Sequence, residues 1–251
     1  MKIMRWELWE PWYEKIADRL KLDRNADEEA AKLLDGLLPK PKIKAIEKIV
    51  RGHDCIVFGA GPSLDEDLRK LKRAGHLDKV LISADGATSA VMQYRDPEII
   101  VTDLDGAVED QLDAWRRGSW LVVHGHGDNL GQVRKFVPKL KERIIGTTQV
   151  KPFGKLFNFG GFTDGDRAAF TAHELGSSNI FLVGMDLGSK IGKHSGIKVS
   201  KRKLMKLDIC GELLSWLAGD LGAHIVNMTT AGEPIDSIQN KPILSEFLCL
   251  K

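Results

Sequence analysis

The feature that most constrains the fold is an alternation that begins at residue 54. Short apolar runs rich in β-branched residues alternate with amphipathic stretches of helical period. A strand that is buried on both faces has a continuous apolar sequence, and parallel strands need helical crossovers between them. The pattern therefore predicts a doubly wound α/β domain, with a mostly parallel sheet and helices on both faces. The predicted strands lie in "CIVFGAG", "KVLISADG", "EIIVTDLDG", "WLVVHGHGD", "RIIGTT", "LFNFGGFTDG", "NIFLVGMDLG" and "AHIVNMT".

The first 50 residues follow a different pattern. Apolar side chains recur every three or four residues at Trp6, Trp9, Tyr13, Ile16 and Leu20, which is the spacing of one helix face. Two further helical stretches follow, separated by "PKPK" at 39–42. We therefore predict an N-terminal helical cap over residues 1–50, packed on an α/β catalytic domain over residues 51–251.

Composition narrows the range of partners. The net charge of +2 gives no global attraction to nucleic acid or to an anionic membrane. The beginning of the chain carries a charge every few residues, unlike a signal peptide or a membrane span. The three cysteines of the whole chain form no CxxC pair, so the sequence favours neither a zinc site nor a disulfide framework. This cysteine usage fits a reducing cytoplasm. Whether the chain forms a homo-oligomer is left open.

Acidic residues follow several of the predicted strands. Asp85 comes after the second, Asp103 and Asp105 after the third, and Asp164 and Asp166 after the sixth. The carboxyl ends of parallel strands meet at one edge of a sheet, where ligands bind. A single aspartate is often a helix N-cap, but several carboxylates at one edge repel each other unless a cation neutralises them. Oxygen ligands of this kind favour Mg²⁺ or Mn²⁺ over Zn²⁺.

A glycine-containing loop follows the first predicted strand. In "GAGPSL", Gly59 and Gly61 permit a tight turn, and Ser63 would open a helix whose N-terminus attracts phosphate. The loop lacks a third glycine at dinucleotide spacing and lacks the Gly-Lys-Ser/Thr of a P-loop. It therefore predicts a phosphate contact but neither a standard NAD site nor a Walker NTPase.

Two more segments have both a structural and a functional interpretation. The histidines of "HGHGDN", His124 and His126, could bind zinc, but no third soft ligand is evident, so substrate positioning or a purely structural role remains open. The basic segment "GSKIGKHSGIKVSKRKLMK" is either a solvated face or a lid that closes over phosphate. For the lid, we expect that the segment from Lys190 to Lys203 is mobile without ligand and becomes ordered when a polyphosphate and its cation bind.

The motifs together resemble a known family. "ADGAT", "TDLDG" and "FTDGDRA" resemble, in that order, signatures of thiamin pyrophosphokinases. "FGAGPSL", "HGHGDN" and "VGMDLG" are more specifically similar to the archaeal 6-hydroxymethyl-7,8-dihydropterin pyrophosphokinases of the MptE type. The chain lacks the all-β second domain of thiamin pyrophosphokinases. The resemblance implies Mg²⁺-dependent transfer of diphosphate from ATP to the pterin hydroxymethyl group, with release of AMP, in the biosynthesis of tetrahydrofolate-like or methanopterin-like cofactors.

With this activity in view, Asp103 and Asp105 are predicted to hold Mg²⁺ on the phosphates of ATP, and Asp85 to share the ion. Asp164 or Asp166 would complete the cluster or orient the acceptor hydroxyl. The predicted nucleotide- and phosphate-binding residues are Gly59, Gly61, Ser63, Lys201, Arg202 and Lys203. The predicted pterin contacts are His126, Asp128 and Asn129.

Two other functions remain open from the sequence. One is a nucleotide-sugar-dependent glycosyltransferase, because motility-associated relatives of this fold family keep the GxGPSL and acidic-edge features. The other is a non-catalytic nucleotide-binding protein. The paired acids argue against the second, since binding alone rarely needs so much metal-directed charge.

Overall fold

In the part of the chain that the structure describes, the protein is built around a nine-stranded sheet in which all strands run parallel. The computed structural model describes residues 4–188, 192, 194 and 201–243. The strand order is β6-β5-β4-β3-β2-β1-β7-β8-β9, which confirms the predicted doubly wound α/β class. The strands are β1 (Asp54–Phe58), β2 (Val80–Ala84), β3 (Ile99–Thr102), β4 (Trp120–Gly125), β5 (Ile144–Thr148), β6 (Leu156–Phe157), β7 (Asn179–Val183), β8 (Ile225–Asn227) and β9 (Gln239–Asn240).

Helices cover both faces of the sheet, as predicted. Side chains alternate along β1: Ile56 and Phe58 pack with α4 and α5, whereas Cys55 and Val57 share the cluster that contains the remaining helices. This alternation is the period of two that a strand imposes on its side chains. The helices are α1 (Trp6–Leu20), α2 (Arg24–Leu37), α3 (Ile43–Val50), α4 (Leu64–Ala74), α5 (Thr88–Val91), α6 (Val108–Arg117), α7 (Leu130–Phe136), α8 (Asp164–Glu174) and α9 (Lys201–Gly219).

The strand order reverses between β1 and β7. The chain builds one half of the sheet outward from β1 to β6, then returns through α8 to place β7 on the other side of β1. Helix α8 packs across β1, β2, β3 and β7, so it lies over the centre of the sheet. Its first residue therefore lies at the carboxyl edge of the strands, where ligands bind in folds of this kind.

The N-terminal helices are joined to that same edge through a buried carboxylate. Asp27 in α2 accepts hydrogen bonds from Tyr13 Oη (2.9 Å), Gln149 Nε2 (2.7 Å) and the Gly127 amide (2.8 Å). Trp9 donates its indole N–H to the carbonyl oxygen of Gln149 (2.8 Å). The helices also share a continuous apolar cluster with the sheet. The N-terminal helices therefore pack directly on the α/β part of the chain. The domain boundary after residue 50 stays a prediction.

Within the part of the chain that the structure describes, no helix has the length and apolar character needed to cross a membrane.

Candidate active site

A cavity of about 510 Å³ opens at the carboxyl edge of the sheet. Loops that follow β1, β2, β3, β4 and β7 form its walls, together with the N-terminus of α8 and one face of α9. The first segment of the chain also contributes, through Leu22. Residues far apart in the sequence therefore meet here because the parallel topology brings every strand end to one side.

Three carboxylates cluster in this cavity. Asp85 follows β2, Asp103 follows β3, and Asp164 is the first residue of α8. One oxygen atom from each lies within 4.8 Å of the others. All three are among the site residues predicted from the sequence. The predicted metal ligands, however, were Asp85, Asp103 and Asp105, and Asp164 or Asp166 was expected to complete the cluster or to orient the acceptor hydroxyl.

Asp85 is held by its neighbours. Its Oδ1 atom accepts hydrogen bonds from Thr102 Oγ1 (2.7 Å) and Gln111 Nε2 (2.8 Å). Burial and the negative charge of Asp103 raise the pKa of Asp85 above its ordinary value. A cation near both carboxylates would offset this repulsion.

Asp103 is bound by the loop after β4. His126 Nε2 lies 3.2 Å from Asp103 Oδ2, and the Asp128 amide donates to His126 Nδ1 (3.3 Å), which leaves the proton on Nε2. Burial opposes ionisation of Asp103, but hydrogen bonds from His126 and Asp105 outweigh it and lower the Asp103 pKa to about 2. Among the described residues, no N–H or O–H donor reaches the buried Oδ1 of Asp103.

Asp105 projects into the cavity beside Asp103. The intervening Leu104 has a left-handed backbone (φ 66°), and its amide donates to Thr102 Oγ1 (2.8 Å). This turn brings the two carboxyl groups to the same side. Burial and the charge of Asp103 raise the pKa of Asp105 to about 7, so the two acids share a proton when no cation is present.

The beginning of α8 separates the two predicted acids of "TDGDR". Asp164 faces the cavity and accepts from Arg167 Nη1 (3.0 Å). Asp166 is fully buried and does not line the cavity, because its carboxylate accepts from the amides of Phe162 (2.7 Å) and Thr163 (2.8 Å). It forms the capping box of α8 with Thr163. The pKa of Asp164 is raised by burial and by the charge of Asp103.

The glycine loop after β1 packs against the loop after β7. The amides of Gly59 and Gly61 donate to the carbonyl oxygens of Val183 (2.9 Å) and Gly184 (2.8 Å). A Cβ atom at Gly61 would lie 2.1 Å from Asp186 Oδ2, so the close approach requires glycine. Both glycines line the cavity.

Ser63 is buried behind this loop. Its hydroxyl lies 2.8 Å from carboxylate oxygens of both Asp67 and Asp186, and its amide donates to Asp186 (3.2 Å). An aspartate thus occupies the N-terminus of α4, where sequence analysis placed a phosphate. The phosphate contact of Ser63 stays a prediction that would require this arrangement to open.

The three predicted pterin contacts have different surroundings. His126 and Asp128 line the cavity. Asn129 is buried, and its amide nitrogen donates to the carbonyl oxygens of Asp103 and His124 (2.7 Å each). Asn129 therefore joins the loops after β3 and β4. His124 is also buried and lies 3.0 Å from Thr147 Oγ1 through Nδ1.

Basic side chains on α9 form the opposite wall. Arg202, Lys203 and Lys206 line the cavity, whereas Lys201 is exposed and does not. Burial lowers the pKa of Lys203, although the charge of Asp105 opposes the effect. The predicted mobility of the segment from Lys190 to Lys203 concerns residues that lie mostly outside the described ones.

The donor set fits a hard divalent cation such as Mg²⁺. The three clustered carboxylates supply only oxygen atoms, and the Asp103 oxygen without a donor among the described residues is one that a cation would satisfy. Burial and, as the second cause, the charge of Asp103 raise the pKa values of Asp85 and Asp164. Cation binding would remove that charge repulsion.

Several residues of the site were not predicted from the sequence. Arg167 is only 3% exposed and supports Asp164, and Gln111 supports Asp85. Lys206 and Gln149 line the cavity. Lys206 stood within the basic segment and could have been found from its helical spacing to Lys203. Arg167, Gln111 and Gln149 depend on tertiary contacts that no local pattern reveals.

Comparisons with known proteins agree with the motifs. A family model described as "6-hydroxymethylpterin diphosphokinase MptE-like" matches residues 29–192. Among curated proteins, one from Methanothermobacter thermautotrophicus is 45% identical over 223 residues, which is 85% of this chain and 95% of that protein. Relatives from Pyrococcus furiosus (39% identical, 90% of this chain, 100% of that protein) and Methanocaldococcus jannaschii (36%, 83% and 94%) also match. All three are named 6-hydroxymethyl-7,8-dihydropterin pyrophosphokinase.

Among solved structures, a MAf glycosyltransferase from Magnetospirillum magneticum AMB-1 has a similar fold. The TM-score is 0.54 at 16% sequence identity, over 88% of this chain and 39% of that one. At this identity the similarity concerns the fold alone.

Proposed function

Because the chain belongs to the MptE-like family of 6-hydroxymethylpterin diphosphokinases, we propose that it is a pterin pyrophosphokinase. It transfers diphosphate from ATP to the hydroxymethyl group of 6-hydroxymethyl-7,8-dihydropterin and releases AMP. The observation that carries this proposal is the cavity with three clustered carboxylates on one wall and Lys203 and Lys206 on the other. Polyphosphate chemistry needs both, since acids hold the cation and basic side chains contact the phosphate oxygens.

Asp85, Asp103 and Asp164 would hold Mg²⁺. When bound, the cation neutralises charge on the phosphates and fixes their orientation. Arg167 keeps the Asp164 carboxylate in the cluster, and His126 does the same for Asp103 through its Nε2 proton. These contacts hold the ligands before substrate arrives, which lowers the cost of organising the site.

Lys203 and Lys206 would contact the phosphates that are transferred. They are three residues apart on α9 and therefore share a helix face. Both lysines interact with Asp105. The charge of Asp105 opposes the fall in the Lys203 pKa that burial causes, and the charge of Lys206 opposes the rise in the Asp105 pKa that burial and Asp103 cause. A polyphosphate between the two walls would pair directly with the lysines and would approach the carboxylates only through a cation.

Asp105 is our candidate for the general base. The hydroxymethyl oxygen attacks the β-phosphorus, the bond from the β-phosphorus to the oxygen that bridges to the α-phosphorus breaks, and AMP leaves with that oxygen. The proton of the hydroxyl passes to the Asp105 carboxylate, which lies in the cavity and whose pKa burial and the charge of Asp103 raise to about 7 in the cation-free protein. A base with a pKa near the working pH is the effective choice for this step.

We place this reaction in the biosynthesis of tetrahydrofolate-type or methanopterin-type cofactors, in the cytoplasm. A panel of acceptors tests the proposal: 6-hydroxymethyl-7,8-dihydropterin, thiamin and a simple sugar, each with Mg²⁺ and ATP, and the sugar also with nucleotide-sugar donors. We expect AMP and a diphosphorylated product with the pterin alone. Glycosyl transfer, or ATP binding without turnover of any acceptor, would contradict the proposal.

A further inference from the structure

Gln111 is a buried side chain behind the carboxylate cluster. It lies in the first turn of α6, is 0% exposed, and donates from Nε2 to Asp85 Oδ1 (2.8 Å). Among the described residues, its carbonyl oxygen Oε1 is buried and has no hydrogen-bond partner. A buried amide that uses its donor and leaves its acceptor without a partner weakens the fold, so it calls for a reason.

Asp85 needs several contacts to keep its position. Its backbone has a positive φ of 35°, which an aspartate adopts only when the surroundings determine it strongly. Thr102 Oγ1 (2.7 Å) and Gln111 Nε2 both donate to Oδ1, and the Gly106 amide also donates to the carboxylate. A Cβ at Gly106 would lie 1.9 Å from Asp85 Oδ2. The carboxylate thus packs closely against the end of β3, the loop after β3 and α6.

The orientation of the Gln111 amide follows from this contact. If the amide were turned over, Oε1 would face the Asp85 carboxylate, and two acceptors would repel each other. The donor is therefore directed at Asp85 whatever Oε1 meets on its other side. The arrangement favours the carboxylate at the expense of the amide.

We propose that Gln111 is a positioning residue that fixes Asp85 for divalent-cation binding, and that this contact leaves Oε1 without a donor among the described residues. The proposal rests on the proposed function, since it assumes that the carboxylate cluster binds a cation. A residue with a purely structural role would contribute to stability. Gln111 instead improves the cation site without a net gain in stability, because its amide N–H stabilises Asp85 while its buried Oε1 meets no donor among the described residues.

The variant Gln111→Met separates these roles because methionine is similar in length and carries neither amide group. Loss of the contact to Asp85 should weaken Mn²⁺ binding by about 10–100-fold, as is typical when a residue that orients a metal ligand is removed. Loss of a donor to the Asp85 carboxylate lowers stability and loss of an Oε1 atom without a partner raises it, so the melting temperature in chelator should change little. Glu109→Gln, an exposed position in the same first turn, is the matched control and should change neither quantity.

The experiment titrates Mn²⁺ into the full chain without nucleotide, follows free Mn²⁺ by electron paramagnetic resonance, and records melting curves in chelator. Weaker Mn²⁺ binding in Gln111→Met with no loss of stability supports the proposal. Unchanged Mn²⁺ affinity overturns it and leaves the cation site intact. A large fall in melting temperature or failure to fold, repeated in Gln111→Leu, would show a structural role and also overturn it. If the wild-type chain binds no Mn²⁺, both this proposal and the proposed cation site fail.

Discussion

At the level of single residues, the carboxyl groups of Asp103 and Asp105 lie so close together that they do not both ionise readily without a cation. The pKa of Asp105 is raised to about 7 by burial and by the charge of Asp103, while hydrogen bonds from His126 and Asp105 outweigh burial and lower the Asp103 pKa to about 2. The two carboxyl groups therefore share one proton over a wide pH range. Their environments give them separate tasks: Asp103 stays ionised, and Asp105 changes its protonation state near neutral pH.

The pH dependence of catalysis follows from this division. Asp105 can accept a proton only when it is ionised, so kcat/KM should fall as the pH drops through the pKa of Asp105 and level off above it. This pKa is about 7 in the cation-free protein, and a cation beside Asp103 lowers it. The variant Asp105→Asn should lower turnover by about 10²–10⁴-fold and remove this inflection. A pH–rate profile of both proteins checks the prediction. An unchanged inflection in the variant would assign it to another group.

The variant Asp103→Asn addresses the cation ligand. It removes one of three clustered carboxylates, so we expect Mn²⁺ binding to weaken and turnover to fall at least about a hundredfold, since a bound cation contributes several kcal/mol. The fold should survive, because the change reduces repulsion with Asp85 and Asp164. Metal titration, turnover and melting curves test this together. Full wild-type activity in excess chelator would contradict it.

At the scale of the elements, α9 acts as the basic wall of the cavity. Its beginning carries Lys201, Arg202, Lys203 and Lys206, but only the last three line the cavity. Arg202 also donates from Nη1 to the carbonyl oxygen of Leu20 (2.9 Å), which ties α9 to the N-terminal helices. A basic side chain of α9 can therefore reach a phosphate in the cavity only if it lies on the helix face that lines the cavity, however many lysines are nearby in the sequence.

This geometry predicts different effects for lysines on one helix. Lys206→Gln should lower turnover by about 10²–10³-fold, the range seen when a contact to transition-state charge is removed. Lys201→Gln is the matched control on the same helix and should retain activity, because Lys201 does not line the cavity. Neither change should move the melting temperature much, since exposed or partly exposed lysines contribute little to stability. Equal losses in both variants would point to a general charge effect.

Helices α1 and α2 are held to the site by Asp27, which accepts from Tyr13, Gln149 and Gly127. Tyr13→Phe removes one hydrogen bond to a buried carboxylate and should lower the free energy of unfolding by about 2 kcal/mol. Tyr94→Phe is the control, because the Tyr94 hydroxyl has no hydrogen bond to the described residues. Chemical denaturation of both variants measures the difference. A similar loss in both would contradict the role assigned to Asp27.

At the scale of the whole molecule, much of the architecture could be predicted because its signals are local. Apolar runs such as "CIVF" and "EIIV" mark central strands, and the carboxyl ends of such strands share one edge. That rule brought Asp85, Asp103 and Asp164 together before the structure did. Strand β9 was not predicted, because Gln239–Asn240 is a short, exposed, polar segment at the sheet edge with no apolar pattern.

The rest of the site depends on tertiary packing. Gln111 and Arg167 matter only because α6 and α8 place them beside Asp85 and Asp164, and no spacing in the sequence indicates those contacts. Conversely, Ser63 and Asp166 have the local sequence signature of a phosphate or metal site, yet the structure uses both as partners at helix N-termini. Local patterns locate polar groups along the chain, whereas the fold decides which side of each loop they face.

We propose that the protein transfers diphosphate as a unit in this cavity, through attack of the acceptor on the β-phosphorus of ATP. The most direct test uses ATP labelled at the β-phosphorus, with Mg²⁺ and 6-hydroxymethyl-7,8-dihydropterin, and follows where the label goes. We expect that all transferred label appears in the pterin product and that the released nucleotide is unlabelled AMP. Labelled ADP together with an unlabelled pterin monophosphate would contradict it.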